Sequence, residues 1–477
     1  MANEANAQCD ALVAAGLGSL VLFPSDSAYA AREASYWAAN ARLGPTCIVQ
    51  PKTTADVSKV LLVLSIAPGN FAVRSGGHSQ WAGGSDIHDG VTIDLGAMRN
   101  ASYDATTQLV SVQPGLSWVD VYEEVEKYGR GVTGGRESTV GIAGFLTGGG
   151  NSYFTGRYGF GCDEVANFEV VLATGQVVNA NKKTNPDLWK ALKGGSGNFG
   201  IVTRFDLNTF PSTDVWGGMS IYNSSATEPL IKALVDFTSN NKNYPQDAHI
   251  LIYQYDPTAG SDIIVATSIV DTYGVVNAPA FAEIQAVQPL VADLEVRTMS
   301  NLASAFVLPA NQRNIWFTLT FKNDAAVVQK VVDLHEQLVA DLKAALPASD
   351  FATRCLFQPL PAFFADRSVA QGGNVLGLDS QKDDMILWLG NGVVYSEANQ
   401  PLMQSKMAAW SSAISSFAKA QGKDVGFVYL NYADGSQDPL STYGSANIAF
   451  IRKVAAKYDP LAVFQRKVPG GFKISRI

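Results

Sequence analysis

A histidine set in a glycine turn is the feature of this chain most able to do chemistry. Arg74-Ser75-Gly76-Gly77-His78-Ser79 closes the apolar stretch Asn70-Phe71-Ala72-Val73. Two more runs that bare the backbone follow, Gly148-Gly149-Gly150 and Gly194-Gly195-Ser196-Gly197-Asn198. Glycine has no Cβ, so such turns let the main chain approach a ligand closely. Consecutive amides in a glycine turn also form an anion-binding nest. Together they point to a large phosphate-bearing cofactor lying across the chain, with His78 aimed at its reactive end. The other histidines, His88, His249 and His335, read as surface or satisfied core residues. No HExxH, Ser-His-Asp elbow or P-loop competes for the chemistry.

The elements around these turns must place them. Thr46 to Gln50 reads as a strand, and Thr53 to Asp56 caps an amphipathic helix through about Ser65 with Val57, Val60, Leu61 and Leu64 on one face. Phe71 to Val73 is the next strand, so a β-α-β unit ends at the His78 turn. Further strands are expected at 91–95, 109–112, 167–172 and 201–207, with a helix over 117–128. Gly195-Ser196-Gly197-Asn198-Phe199-Gly200 fits G-x-G-x-x-G, but it follows the helix 188–192 and runs into the strand at Ile201. The Rossmann use needs the opposite order. The run is therefore a connector, or it offers backbone N–H groups to a cofactor in another fold. After Pro211, long helical patterns such as 325–346 alternate with strands at 250–254, 315–321 and 385–389, which suggests helices packed on an antiparallel sheet. Phe427 to Tyr432 reads as a strand and 446–457 as a helix.

Composition narrows the function. A chain of 477 residues exceeds one core, so two domains are expected. A net charge of −8 with no Lys/Arg cluster argues against nucleic acid as a partner. No stretch approaches the ~20 apolar residues of a membrane span. Ala11 to Phe23 is short, broken by Gly16 and Gly18, and preceded by Glu4 and Asp10, so it reads as a buried helix running into a strand rather than a signal peptide. Cys9, Cys47, Cys162 and Cys355 lack CxxC spacing, so no metal site is expected. The sequons at Asn100 and Asn223 would be glycosylated in a secreted protein, although such tripeptides also arise by chance.

Six motifs in order carry a specific resemblance: the His78 turn, Thr139-Val140-Gly141-Ile142-Ala143-Gly144, Gly148-Gly149-Gly150, the segment Arg157-Tyr158 to Val165, Gly197-Asn198-Phe199-Gly200-Ile201-Val202-Thr203, and Asn431-Tyr432. Over essentially its whole length the chain resembles the berberine-bridge-enzyme-like FAD-linked oxidases of the vanillyl-alcohol-oxidase/PCMH superfamily. The resemblance implies an α+β, two-domain PCMH-type FAD-binding fold, with an antiparallel-sheet substrate domain covered by helices. Its FAD domain would comprise residues 1–211 and 425–477, flanking a substrate domain at 212–424. FAD would be held by the motif residues, from Arg74 to Ser79 through Val140, Gly141, Gly144, the Gly148 run, Tyr158, Gly197, Asn198, Gly200, Ile201, Val202, Asn431 and Tyr432. One covalent bond would join His78 to the flavin 8α-methyl group. Many relatives add a cysteinyl bond, but Glu137 stands at that position, so a single link is expected. Cys9 and Cys47 resemble the family's N-terminal disulfide.

The resemblance also bears on reactivity. Val140 matches a gate position where valine accompanies use of oxygen. Tyr432 is the expected base; since a free tyrosine titrates near 10, such a role calls for a cation or a hydrogen-bond network. Tyr158, Gln358 and Glu397 are further candidates to line the site. Gln80 replaces a tyrosine that some relatives carry. The expected activity is oxidation of an alcohol, amine or related C–H bond of a secondary metabolite or sugar, with O2 reduced to H2O2. An oligosaccharide oxidase acting at the anomeric carbon, a flavin-scaffolded cyclase and a binding protein stay open. The chain is expected to be a secreted monomer acting on a small molecule.

Overall fold

The computed structural model describes residues 2–477, which form four sheets. The first holds β1 (Val21–Leu22), β2 (Cys47–Val49), β3 (Phe71–Arg74) and β4 (Val91–Asp94) in the order β1-β2-β4-β3. β4 pairs in parallel with both β2 and β3. The helix Thr54–Ile66 crosses between β2 and β3, started by a capping box in which Thr53 and Asp56 satisfy each other's backbone amides. It buries Val57, Val60, Leu61 and Leu64, so the expected β-α-β unit is present and β3 ends where the His78 turn begins.

The second sheet is built from β5 (Ala101–Asp104), β6 (Leu109–Val112), β8 (Val165–Val171), β9 (Val177–Asn181) and β10 (Ile201–Asn208), in the order β5-β6-β10-β8-β9. Between them β7 (Arg130–Gly131) pairs with β11 (Phe210–Pro211). The C-terminal residues pack back here. Val463, Phe464 and Val468 join the core of the first sheet, while Tyr429, Tyr443, Ile451 and Ile474 join that of the second. A disulfide between Cys9 and Cys47 (S–S 2.07 Å) fastens the N-terminal helix Ala2–Leu12 to β2, as the resemblance implied.

The third main sheet has seven strands: β12 (Val215–Tyr222), β13 (Asp247–Tyr255), β14 (Ile264–Asp271), β15 (Val291–Arg297), β16 (Arg313–Lys322), β17 (Phe351–Leu360) and β18 (Met385–Val394). Their order is β15-β12-β14-β13-β17-β18-β16, with every pairing antiparallel. The two-residue period of a strand divides its faces. Leu251, Tyr253, Phe357, Ile386 and Trp388 pack against apolar residues of the helices Thr227–Asn240, Ala325–Ala345 and Gln400–Ala420. Ile250, Ile252, Gln254, Arg354, Leu356, Gln358, Leu389 and Asn391 point the other way, into a cavity. The expected antiparallel sheet covered by helices is therefore present. The segment read as a strand at 427–432 is instead irregular, ending in a 3-10 turn at Leu430–Tyr432. Its alternating residues do not face sheet neighbours; Tyr429 Oη accepts from the amides of Gly150 and Asn151, and Asn431 Nδ2 donates to Phe145 O and Tyr429 Oη.

His335 lies fully buried in the helical layer, stacked on Trp410 with Nε2 2.8 Å from Thr353 Oγ1. Burial pushes its pKa down to about 3. The folded chain thus keeps the ring neutral while the unfolded chain protonates it below about 6.5. Stability is complete above that value and is lost as pH falls through the window from about 6.5 to 3. At pH 5 the loss is about 2 kcal/mol, from 1.4 kcal/mol per unit. In urea denaturation at pH 7 and 5, His335→Phe should shift the difference between the two by that amount relative to the wild type.

Candidate active site

The face of the seven-stranded sheet and the loops of the other two enclose a cavity of about 600 Å³, in the range of small-molecule and cofactor sites. Ser75 to Trp81, Gly135 to Glu137, Val140, Gly141, Gly144, Gly197, Gly200, Ile201, Val202, Asn431 and Tyr432 all line it. So do Gly470 to Lys473 from the end of the chain.

Two glycines set the geometry of the His78 turn. A Cβ on Gly76 would stand 2.5 Å from the Cα of Gly141, and one on Gly141 would stand 2.6 Å from the Cα of Gly76. The two loops touch backbone to backbone, which only glycine permits. Gly77 adopts φ +68°, and a Cβ there would meet the guanidinium of Arg74. The largely buried His78 ring stacks on Trp37 at 4.5 Å. Its Nε2 lies 3.5 Å from Glu137 Oε2 without a hydrogen bond. Trp37 packs edge-on against Trp316, Trp316 against Tyr432, and Tyr432 against Tyr429. One aromatic chain thus connects His78 to Tyr432.

At Tyr432 the polar groups converge. Arg136 Nη2 donates to Tyr432 Oη at 2.6 Å and to Gln358 Oε1 at 2.6 Å, while Tyr432 Oη donates to Gln358 Oε1 at 3.2 Å. Arg136 has no carboxylate partner within 4 Å among the described residues. The cation that a basic tyrosine calls for is therefore present. Gln80, buried nearby, donates from Nε2 to Ala433 O at 3.0 Å and pins the segment that carries Tyr432.

Several expected residues lie elsewhere. Arg74 is buried away from the cavity, donating to Arg32 O and Ser35 Oγ at 2.7 Å each and lying over the Tyr36 ring. It braces the turn from behind. Tyr158 stacks on Phe210 at 4.1 Å and accepts from Arg157, outside the cavity. Glu397 has a side chain 81% exposed, ion-paired with Arg313 on the surface. Asn198 is fully buried but acts as a clasp. Its Nδ2 donates to Gly195 O and Phe472 O, and its Oδ1 accepts from Gln465, which holds the terminal segment against the cavity.

The run Gly148-Gly149-Gly150 is no anion nest. The amides of Gly150 and Asn151 donate to Tyr429 Oη at 2.9 and 2.7 Å, and a Cβ on Gly148 would collide with Asn431. These glycines seat Tyr429 and Asn431. Sequence reasoning overlooked Arg136, although it directly follows Gly134-Gly135 and stands three residues before Thr139. It also overlooked Gln254, Arg354, Asn391 and Lys473, which carry no local motif. Burial lowers the pKa of Lys473 to about 7, with Nζ donating to Phe464 O.

Tyr429→Phe removes the shared acceptor of two buried amides. It should lower stability by about 1–3 kcal/mol, the cost of leaving such groups unpaired, as read by urea denaturation.

Comparison with known proteins places this architecture. Residues 45–181 match the FAD binding domain family. The FAD-dependent monooxygenase drtC of Aspergillus calidoustus is 38% identical over 99% of this chain and 91% of its own length. The FAD-dependent monooxygenase sdcF of Emericella nidulans is 36% identical, covering 98% of each chain. Among solved structures, 6-hydroxy-D-nicotine oxidase from Arthrobacter nicotinovorans superposes with a TM-score of 0.77 at 19% identity, over 94% of this chain and 96% of its own. Berberine bridge enzyme from Eschscholzia californica does so at 0.75 and 16% identity, over 97% and 99%. The residues present fit FAD: glycine turns with no Cβ to spare wall the cavity, and the buried Nε2 of His78, which lines it, has no hydrogen-bond partner. This chain is an FAD-dependent oxidoreductase: it belongs to the family of the FAD-dependent monooxygenases drtC and sdcF and has the PCMH-type FAD-binding fold seen in berberine bridge enzyme.

Proposed function

We propose that the chain is an oxidase taking two electrons from an alcohol, amine or related C–H bond of a secondary metabolite or sugar. The observation that carries this reading is the meeting of Arg136, Tyr432 and Gln358 on the wall of the cavity. Oxidation of such a bond releases a hydride and a proton. FAD in the cavity supplies the two-electron acceptor. The residues of the chain handle the proton. An N–H of Arg136 directed at Tyr432 Oη stabilises negative charge on that oxygen. That oxygen is thereby placed to take the proton of a substrate hydroxyl or amine. Gln358 fixes the direction of the phenol.

The electrons end on O2 and give one H2O2 per substrate. Val140 on the cavity wall is the residue that supports the oxygen reading. His78 would hold the cofactor by a single covalent bond, since Glu137 rather than a cysteine stands across from it. The Cys9–Cys47 disulfide and the exposed sequon residues Asn100 and Asn223 support a secreted protein. A monomer completes the reading.

The names of the relatives favour a second reading, in which one oxygen atom of O2 enters the product and the other leaves as water. That reaction consumes two further electrons from an external reductant. Turnover under ¹⁸O2 separates the two: oxidation leaves the product unlabelled and releases stoichiometric peroxide, whereas monooxygenation labels the product. Loss of flavin colour on adding substrate without oxygen is expected of the oxidase and not of a cyclase or binding protein.

Tyr432→Phe should lower turnover by roughly 10²–10⁴-fold while flavin content is unchanged. Acid precipitation of the wild type should give a yellow pellet, and His78→Ala should move the colour to the supernatant. Yellow His78→Ala pellets would remove the tether from His78.

A further inference from the structure

A second arginine lines the cavity away from Tyr432. Arg354, on β17, is 8% exposed and has no carboxylate within 4 Å among the described residues. Its Nε donates to Gln254 Oε1 at 3.3 Å and its Nη1 to Asn391 Oδ1 at 2.9 Å. Among the described residues its Nη2 donates to no group. Asp256 and Tyr395 act on it only through space. A buried cation without a counter-ion is costly unless something compensates it. Neutral amides orient this guanidinium and leave its charge in place.

The sheet register turns this into a pattern. Gln254, Arg354 and Asn391 stand directly opposite one another on β13, β17 and β18. The next cavity-facing row is Ile252, Leu356 and Leu389, again in register. Two residues further along β17 comes Gln358, bonded to Tyr432. The floor therefore runs from a cationic row through an apolar row to the polar group at Tyr432. Four strand residues separate Arg354 from Gln358, roughly 13 Å.

We propose that Arg354 anchors a carboxylate of the substrate, whose apolar body crosses the row of Ile252, Leu356 and Leu389 to present its oxidised carbon at Tyr432. The substrate class is an apolar organic acid, oxidised at the end remote from its carboxylate. A free N–H pair on a guanidinium held by two amides is a charge-assisted donor for that group. The apolar row between the two polar ends favours an apolar body over an oligosaccharide, whose hydroxyls would lose their partners there. This proposal rests on reading the cavity as the oxidation site.

Calorimetric titration of the flavin-loaded protein at pH 7.5 with 4-phenylbutanoate and 6-phenylhexanoate, each beside its methyl ester, tests it without turnover. The acids should bind roughly tenfold or more tighter than the esters. Arg354→Gln should abolish that preference, and Arg354→Lys, which retains the charge, should keep most of it. The lysine variant also shows that a loss in the glutamine variant is not a failure to fold. Equal binding of acid and ester by the wild type would overturn the proposal. A preference that survives Arg354→Gln and vanishes in Arg136→Gln would overturn it too, by placing the anion beside Tyr432. Absence of peroxide and of flavin bleaching would refute the oxidase reading while leaving the acid preference standing.

Discussion

The contact on which the site depends is made without side chains. Gly76 and Gly141 press backbone against backbone, so the turn carrying His78 and the loop carrying Val140 form one surface. Any Cβ at either position would force the two loops apart by more than the tolerance of a packed interior. Behind this contact Arg74 and Tyr36 fill the space under the turn. In front of it Trp37 fixes the His78 ring and passes that order to Trp316 and Tyr432. Residues distant in sequence are thus referred to a single junction.

The seven-stranded sheet supplies the opposite wall by a different rule. Its strands β17 and β18 are buried on both faces, with helices behind and the cavity in front. Gly390 and Gly392 let the helix Gln400–Ala420 come close, since a Cβ at either would strike Trp410, Met403 or Met407. The helical face needs only volume and hydrophobicity. The cavity face is where polarity varies by position, and it differs row by row along β13, β17 and β18. Stability and selectivity are therefore written on alternate residues of the same strands.

This arrangement explains what could be read from the chain and what could not. The β-α-β unit was legible because the helical period of Val57, Val60, Leu61 and Leu64 and the Thr53–Asp56 cap are local signals. His78 stood out because glycines surround it. Arg354, Gln254 and Asn391 were hidden, since they come together only through strand register and each looks ordinary in its own segment. Glu397 and Tyr158 were overvalued because composition cannot distinguish an exposed ion pair or an aromatic stack from a pocket wall. The strand expected at 427–432 failed for a related reason. Its alternation serves hydrogen bonds to a glycine run rather than a neighbouring strand.

The clasp formed by Asn198 with Phe472 and Gln465 has a consequence for the order of events in synthesis. Residues 470–473 complete a wall begun by residues 75–81. A ribosome making this chain releases the glycine turn, then the entire seven-stranded sheet, and only afterwards the segment that closes the chamber. Until then the cavity lacks one side, and the partner that Asn198 awaits does not exist. Closure of the chamber therefore waits on residues 470–473, whichever of the sheets has folded before them.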